Sequence, residues 1–142
     1  MRVLLGVFVM ISALPTFTPA LACTVGFPRS YSVFKSADIL MRAKVANYEV
    51  IPARSEAVFS LDVVEMLSGG GKDIKRLVAR WQNSTYGEPE AWLGPKEVIV
   101  GLRIVSKPSG GPMLEIVQQD CGPISILEDT PNNLALVQNE RR

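Results

Sequence analysis

A mainly β fold is what this sequence predicts: a five-stranded barrel of the OB type, closed or nearly closed, with a short C-terminal helix. Three observations predict it. Five runs of strand character are separated by connections rich in Gly, Pro, Asn and Ser. The second run changes phase midway, as a strand does where it bends into a small barrel. A Thr-Pro pair then opens a short stretch with one apolar stripe, the mark of a helix start.

The chain begins with a stretch that reads as a secretory signal peptide over residues 1–22, leaving one domain over 23–142. Arg2 supplies the positive charge, Val3 to Leu14 form a short apolar run, and Pro15 to Ala22 close on Ala20-Leu21-Ala22, the small-x-small pattern cut by a signal peptidase. Cleavage there makes Cys23 the first residue. The apolar run is shorter than the roughly 20 residues that span a bilayer, so the expected location is secreted or periplasmic. A cysteine just after a signal peptide is sometimes lipidated instead; Ala20 and Leu21 depart from the residues that such processing prefers, and plain secretion is the expected route.

From Thr24 to Phe34 no alternation is seen, and an extended segment should lead to one helical turn around Tyr31 to Ser36. Asp38 opens the first strand, with Ile39, Met41, Ala43 and Val45 on one face and Arg42, Lys44 and Asn47 on the other. After a turn at Pro52 the second strand runs from about Ala57 to Leu67, Phe59, Leu61 and Val63 inward, with a bulge expected at Val63-Val64. The glycine turn Ser68 to Lys72 leads to a third strand in which Ile74, Leu77, Ala79 and Trp81 face the core. Gln82 to Lys96 is a long connection, with Trp92 and Leu93 expected to fold back onto the core. Glu97 to Val105 is apolar on both faces and should be the most buried strand. The fifth strand runs from Leu114 towards Cys121, Gly122-Pro123 breaks it, and Thr130-Pro131 caps a helix carrying Leu134 and Val137. Asn139 to Arg142 are expected to fray.

Composition narrows the function. Fifteen basic residues against fourteen acidic leave the chain nearly neutral, which offers nothing to attract nucleic acid or an anionic membrane. Histidine is absent, removing Ser-His-Asp and Cys-His catalysis, His-based zinc helices and the usual proton shuttle near pH 7. Gly69-Gly70-Gly71-Lys72 lacks the spacing of a phosphate-binding loop. Asp62, Glu65 and Glu88 show no pairing that suggests acid–base work, so no catalytic residue, resident metal or cofactor is expected, and the chain is not read as an enzyme. The cysteines Cys23 and Cys121 form an even pair, most simply one disulfide in an exported chain. Closing that loop would stabilise the fold by ~4 to 5 kcal/mol in the chain-entropy model. Trp81 and Trp92 are each a candidate ligand platform, with core packing the simpler use.

Cys23-Thr24 at the head of the mature chain, Phe34, the run Asp38-Ile-Leu-Met-Arg-Ala-Lys-Val45, Lys72-Asp73-Ile74 and Lys96-Glu-Val-Ile-Val-Gly101 together resemble the N-terminal domain of the tissue inhibitors of metalloproteinases, a netrin-like version of the OB fold. The resemblance spans nearly all of the mature chain. It implies a zinc metalloprotease as partner: the free α-amine and carbonyl oxygen of Cys23 would chelate the protease's catalytic zinc and displace its water. Thr24 would enter the adjoining pocket, with Val25 also in contact. Departures are plain as well. Val25 and Lys35 stand where that family has cysteines, Tyr86 takes the place of the usual partner of the first cysteine, and a Cys23–Cys121 bond would be a rewired version of the family's bridges.

These observations lead to an expected monomeric, secreted, metalloprotease-inhibitor-like protein. The alternative is a non-catalytic exported netrin-like binding module whose disulfide is purely structural, with no membrane partner unless Cys23 is lipidated.

Overall fold

A computed structural model describes residues 31–54, 56–82, 92–106, 110–118 and 124–142. It contains six strands, β1 (Ile39–Ile51), β2 (Glu56–Ser68), β3 (Arg76–Gln82), β4 (Glu97–Ser106), β5 (Pro112–Ile116) and β6 (Ile126–Glu128), and one helix, α1 (Pro131–Glu140). A 3₁₀ turn over Tyr31–Ser36 precedes β1 and another, Pro52–Arg54, joins β1 to β2.

Hydrogen bonding runs β1-β2-β3-β5-β4 and returns from β4 to β1, so five strands close on themselves and β6 is added to β4. The expected five-stranded OB-type barrel with a short C-terminal helix is therefore the fold. All neighbours are antiparallel except β3 and β5, which meet in parallel at Ala79 with Leu114 and Arg80 with Glu115. Closure places one face of each strand inside: Ile39, Met41, Ala43, Phe59, Leu61, Ala79, Val98, Val100, Leu102 and Ile116 make the interior.

The bend expected in β2 is present. Pairing jumps from Arg42–Glu65 to Ala43–Val63, leaving Val64 as the extra residue and turning Met66 to the interior, and a second jump follows at Leu67. A third irregularity, at Ala46 in β1, lay outside the simple alternation expected there. It leaves Asn47 on the outer face, where the sequence put it, and turns Tyr48 inward, and β1 runs on to Ile51.

The apolar second face of β4 has its explanation outside the barrel. Ile99, with Leu40 and Val117, packs beneath Val33, Phe34 and Ala37 of the first 3₁₀ turn and Val137 of α1. Gly101 permits this approach, because a Cβ there would sit 3.0 Å from the Ala37 methyl and 3.2 Å from the Phe34 ring. Gly69 takes φ +78°, and a side chain on it would run into the Asp38 carbonyl, so the β2–β3 turn requires glycine.

Several element ends differ from expectation. β3 begins at Arg76, because Ile74 is still in the turn with its N–H donating to Gly71 O. Strand pairing of β5 with β4 stops at Ile116, where β6 takes over the same edge of β4 through Val98, Ile99 and Val100. Leu93 is 93% exposed rather than folded back, while its neighbour Trp92 does pack on the interior. The helix end is held rather than frayed: Glu140 pairs with Lys35 at 3.2 Å and Arg141 Nη1 donates to Ala37 O at 3.2 Å. The Thr130 cap is as expected, its Oγ1 accepting from Asn133 N–H at 3.2 Å.

Candidate functional site

The residues that the sequence assigns to zinc chelation and pocket contact, Cys23, Thr24 and Val25, and the proposed disulfide partner Cys121 lie outside the described residues. Their flanks are described. Tyr31, the first described residue after Cys23, packs on the same apolar cluster as Val117, which stands four positions before Cys121. Cys23 lies eight chain steps before Tyr31, a reach of up to about 26 to 29 Å when extended. The nearest described flanks of the two cysteines thus meet at one cluster on the barrel wall. Gln118 is bridged to Ile124, and its Oε1 accepts from Trp81 Nε1 at 2.9 Å. Asp38, at the head of the family-like run, accepts the Ile104 N–H at 2.8 Å, closing β4 onto the start of β1.

The two tryptophans do not build a platform. Trp92 meets Phe59 edge-on at 5.1 Å, with Tyr48 against Phe59 at 4.7 Å, and donates from its Nε1 to Pro95 O. Trp81 packs on the same interior. Burial raises the Tyr48 phenol above its ordinary value, which keeps it neutral at physiological pH.

A second candidate lies on the outer wall, in a cleft of about 500 Å³ where β3 and β5 diverge. The two strands pair only through Ala79 with Leu114 and Arg80 with Glu115; ahead of that point Arg76 and Val78 line the cleft on the β3 side and Pro112 and Met113 on the β5 side, with Arg80 at its closed end. Val78 is 54% exposed at its centre. On either side the guanidiniums are anchored to β2: Arg76 Nε donates to Asp62 Oδ1 at 2.6 Å, and Arg80 Nη1 to Glu56 Oε2 at 3.3 Å. The bond from Arg76 holds the Asp62 carboxyl below its usual range and raises the Arg76 guanidinium in turn.

This chemistry suits binding better than catalysis. The cleft carries guanidiniums, a thioether and apolar carbons, and its nearest carboxylates are engaged with arginine rather than placed for proton transfer. Among the described residues no three His, Cys, Asp or Glu side chains come together as metal ligands. The spacing Arg-x-Val-x-Arg on one face of a strand was visible in the sequence; the opposing Pro112 and Met113 were not, because only the parallel meeting of β3 and β5 brings them there.

No family model matches this chain, and no curated protein sequence matches it either.

Proposed function

We propose that this is an exported, non-catalytic OB-barrel protein that inhibits a zinc metalloprotease through its processed N-terminus. The supporting observation is that Tyr31, eight positions after Cys23, and Val117, four positions before Cys121, belong to one apolar cluster on the outer wall of the barrel. A Cys23–Cys121 disulfide is compatible with that placement, and it would hold the first residue against a rigid body. Cys23 would then supply its α-amine and carbonyl oxygen to the protease zinc, and Thr24 and Val25 would contact the adjoining pocket. Because an α-amine titrates near pH 8, zinc must displace its proton. Inhibition should therefore weaken as pH falls.

The test compares mature protein beginning at Cys23 with the same protein carrying one added alanine before it, against a panel of zinc metalloproteases. Inhibition by the first and not by the second supports the reading. Equal inhibition by both, or none by either, overturns it. Intact mass without reductant, expected two hydrogens below the reduced chain from Cys23 to Arg142, establishes that the amine is free and the disulfide formed.

The β3–β5 cleft favours a second reading, a binding module that uses the outer wall. In that case Val78→Asp abolishes partner binding and the added alanine leaves it unchanged.

A further inference from the structure

We propose that the β3–β5 cleft receives an extended acidic segment of another protein, which adds as a strand to the open edge of β3. The inference rests on the second reading above, in which the outer wall is a binding surface, and gives the partner its chemistry. The cleft holds about 500 Å³ between Arg76 and Val78 on one side and Gly111, Pro112 and Met113 on the other. A Cβ on Gly111 would meet nothing within 4 Å.

Strand phase explains why the edge is open. Val63 N–H donates to Lys75 O at 2.9 Å, so Lys75 and, by alternation along the ladder, Leu77 and Ala79 turn their backbone groups to β2. Arg76 and Val78 therefore turn theirs to the β5 side. In the parallel register of Ala79 with Leu114 and Arg80 with Glu115, the β5 residues whose N–H groups face β3 are Leu114 and Ile116. The next of that series is Pro112, which has no N–H to give. The ladder stops there. It leaves the N–H and C=O of Arg76 and the N–H of Val78 in the gap with no strand partner among the described residues, the groups by which an edge takes on a further strand.

Charge selects the kind of segment. No carboxylate lines the cleft. Arg76 gives Nε to Asp62 and Arg80 gives Nη1 to Glu56, both on the β2 side, and Glu115, beside Arg80 in register, is turned to Arg103 at 3.5 Å. Both Nη groups of Arg76 are without a partner among the described residues, so the Asp62 bond steadies a guanidinium that can still take a second carboxylate. An added strand sets its outward side chains beside Arg76 and Arg80, where Glu or Asp is favoured and Lys or Arg repelled. The bland use of Pro112 and the two arginines is to blunt an edge against self-association, and the test separates that use from binding.

The measurement is an amide NMR titration of the exported protein with a capped hexapeptide of alternating Val and Glu, a pattern that a slip of one strand period leaves unchanged. Its comparators are the Val-Lys counterpart and the Val-Glu peptide N-methylated at every amide. The Val-Glu peptide should shift Arg76, Val78 and Met113 and bind about fivefold more tightly than Val-Lys, and the methylated peptide should not bind. Val78→Pro removes the open N–H without breaking a bond to β2 and should weaken the Val-Glu peptide about tenfold. Arg76→Glu, at an exposed side chain, should reverse the preference between Glu and Lys, and it keeps the test decisive if Val78→Pro disturbs folding. Equal binding of the Glu and Lys peptides at the cleft would overturn the acidic segment and leave the outer wall standing as a binding surface. No shift at the cleft from either peptide would overturn both. Methylated peptide binding as tightly as its parent would overturn strand addition. Shifts at the same residues that grow with protein concentration alone would give the edge to a second copy of this chain, overturning the proposal as well.

Discussion

The barrel interior and the cluster beneath α1 draw on the same strands, yet they are held in different ways. Inside, side chains from all five barrel strands converge within a wall closed by strand pairing. Outside, Leu40, Ile99 and Val117 rest on the barrel wall, and their cover is one 3₁₀ turn and a helix that contributes Val137 as its buried residue. Polar ties make up the rest: Lys35 to Glu140, Arg141 to two carbonyls, and Arg42 to Asp129. The interior is thus a cooperative unit, and the outer layer is a lid fastened at its ends. Local opening should begin in the outer layer, which also holds Tyr31, the first described residue after Cys23.

The strongest way to break this comparison is Phe59→Ala. Phe59 is fully buried and in contact with Tyr48 and Trp92, so its removal should cost about 3 to 5 kcal/mol. Chemical denaturation should show one transition shifted as a whole. A loss confined to the outer layer would contradict the cooperative interior. Val137→Ala comes next, at about 2 kcal/mol for two buried carbons and the space they leave. Hydrogen exchange should then quicken at α1 and the Tyr31–Ser36 turn before it quickens at β1 or β4.

How much of this was legible beforehand follows the same division. The interior was readable because period-two alternation reports a strand's inward face directly: Phe59, Leu61, Leu77, Ala79 and Trp81 all point where the pattern put them. Even the β2 bulge announced itself as a phase change at Val63-Val64. The outer layer was less readable. The two-faced apolar run of β4 signalled burial but not its cover, which turned out to be residues before β1 and after β6. β6 has only three residues and is defined by its partner rather than by any pattern of its own. Leu93 was misplaced because an apolar residue in a connection carries no period to orient it. The assigned site residues Cys23, Thr24, Val25 and Cys121 remain readings of the sequence, and the cleft depends on contacts between distant segments that no local pattern encodes.

A smaller perturbation tests the fastening of the lid. Arg42 donates from Nε to Asp129 at 2.9 Å, and the Asp129 side chain is only 8% exposed, just before the Thr130 cap. Arg42→Gln should leave that carboxylate without its cation and loosen the β6–α1 junction, read as faster exchange at Asn133 and Leu134 with the barrel strands unchanged. Thr130→Ala removes the cap bond itself and should cost about 1 kcal/mol, again localised to α1.

The smallest expected effect belongs to neither layer. Asp62 and Arg76 meet on the exposed outer wall, and the arginine's hydrogen bond lowers the Asp62 carboxyl in the folded chain. A group lowered in this way contributes stability while it is ionised, above its unfolded value near 4, and loses that contribution as pH falls through the folded value. Stability should therefore decline slightly more steeply below about pH 4 in the native chain than in Asp62→Asn. Because both groups are open to solvent, salt should flatten the difference. If it persists in high salt, the pair is shielded in solution, and the β3–β5 cleft beside it is then part of a buried surface rather than an open wall.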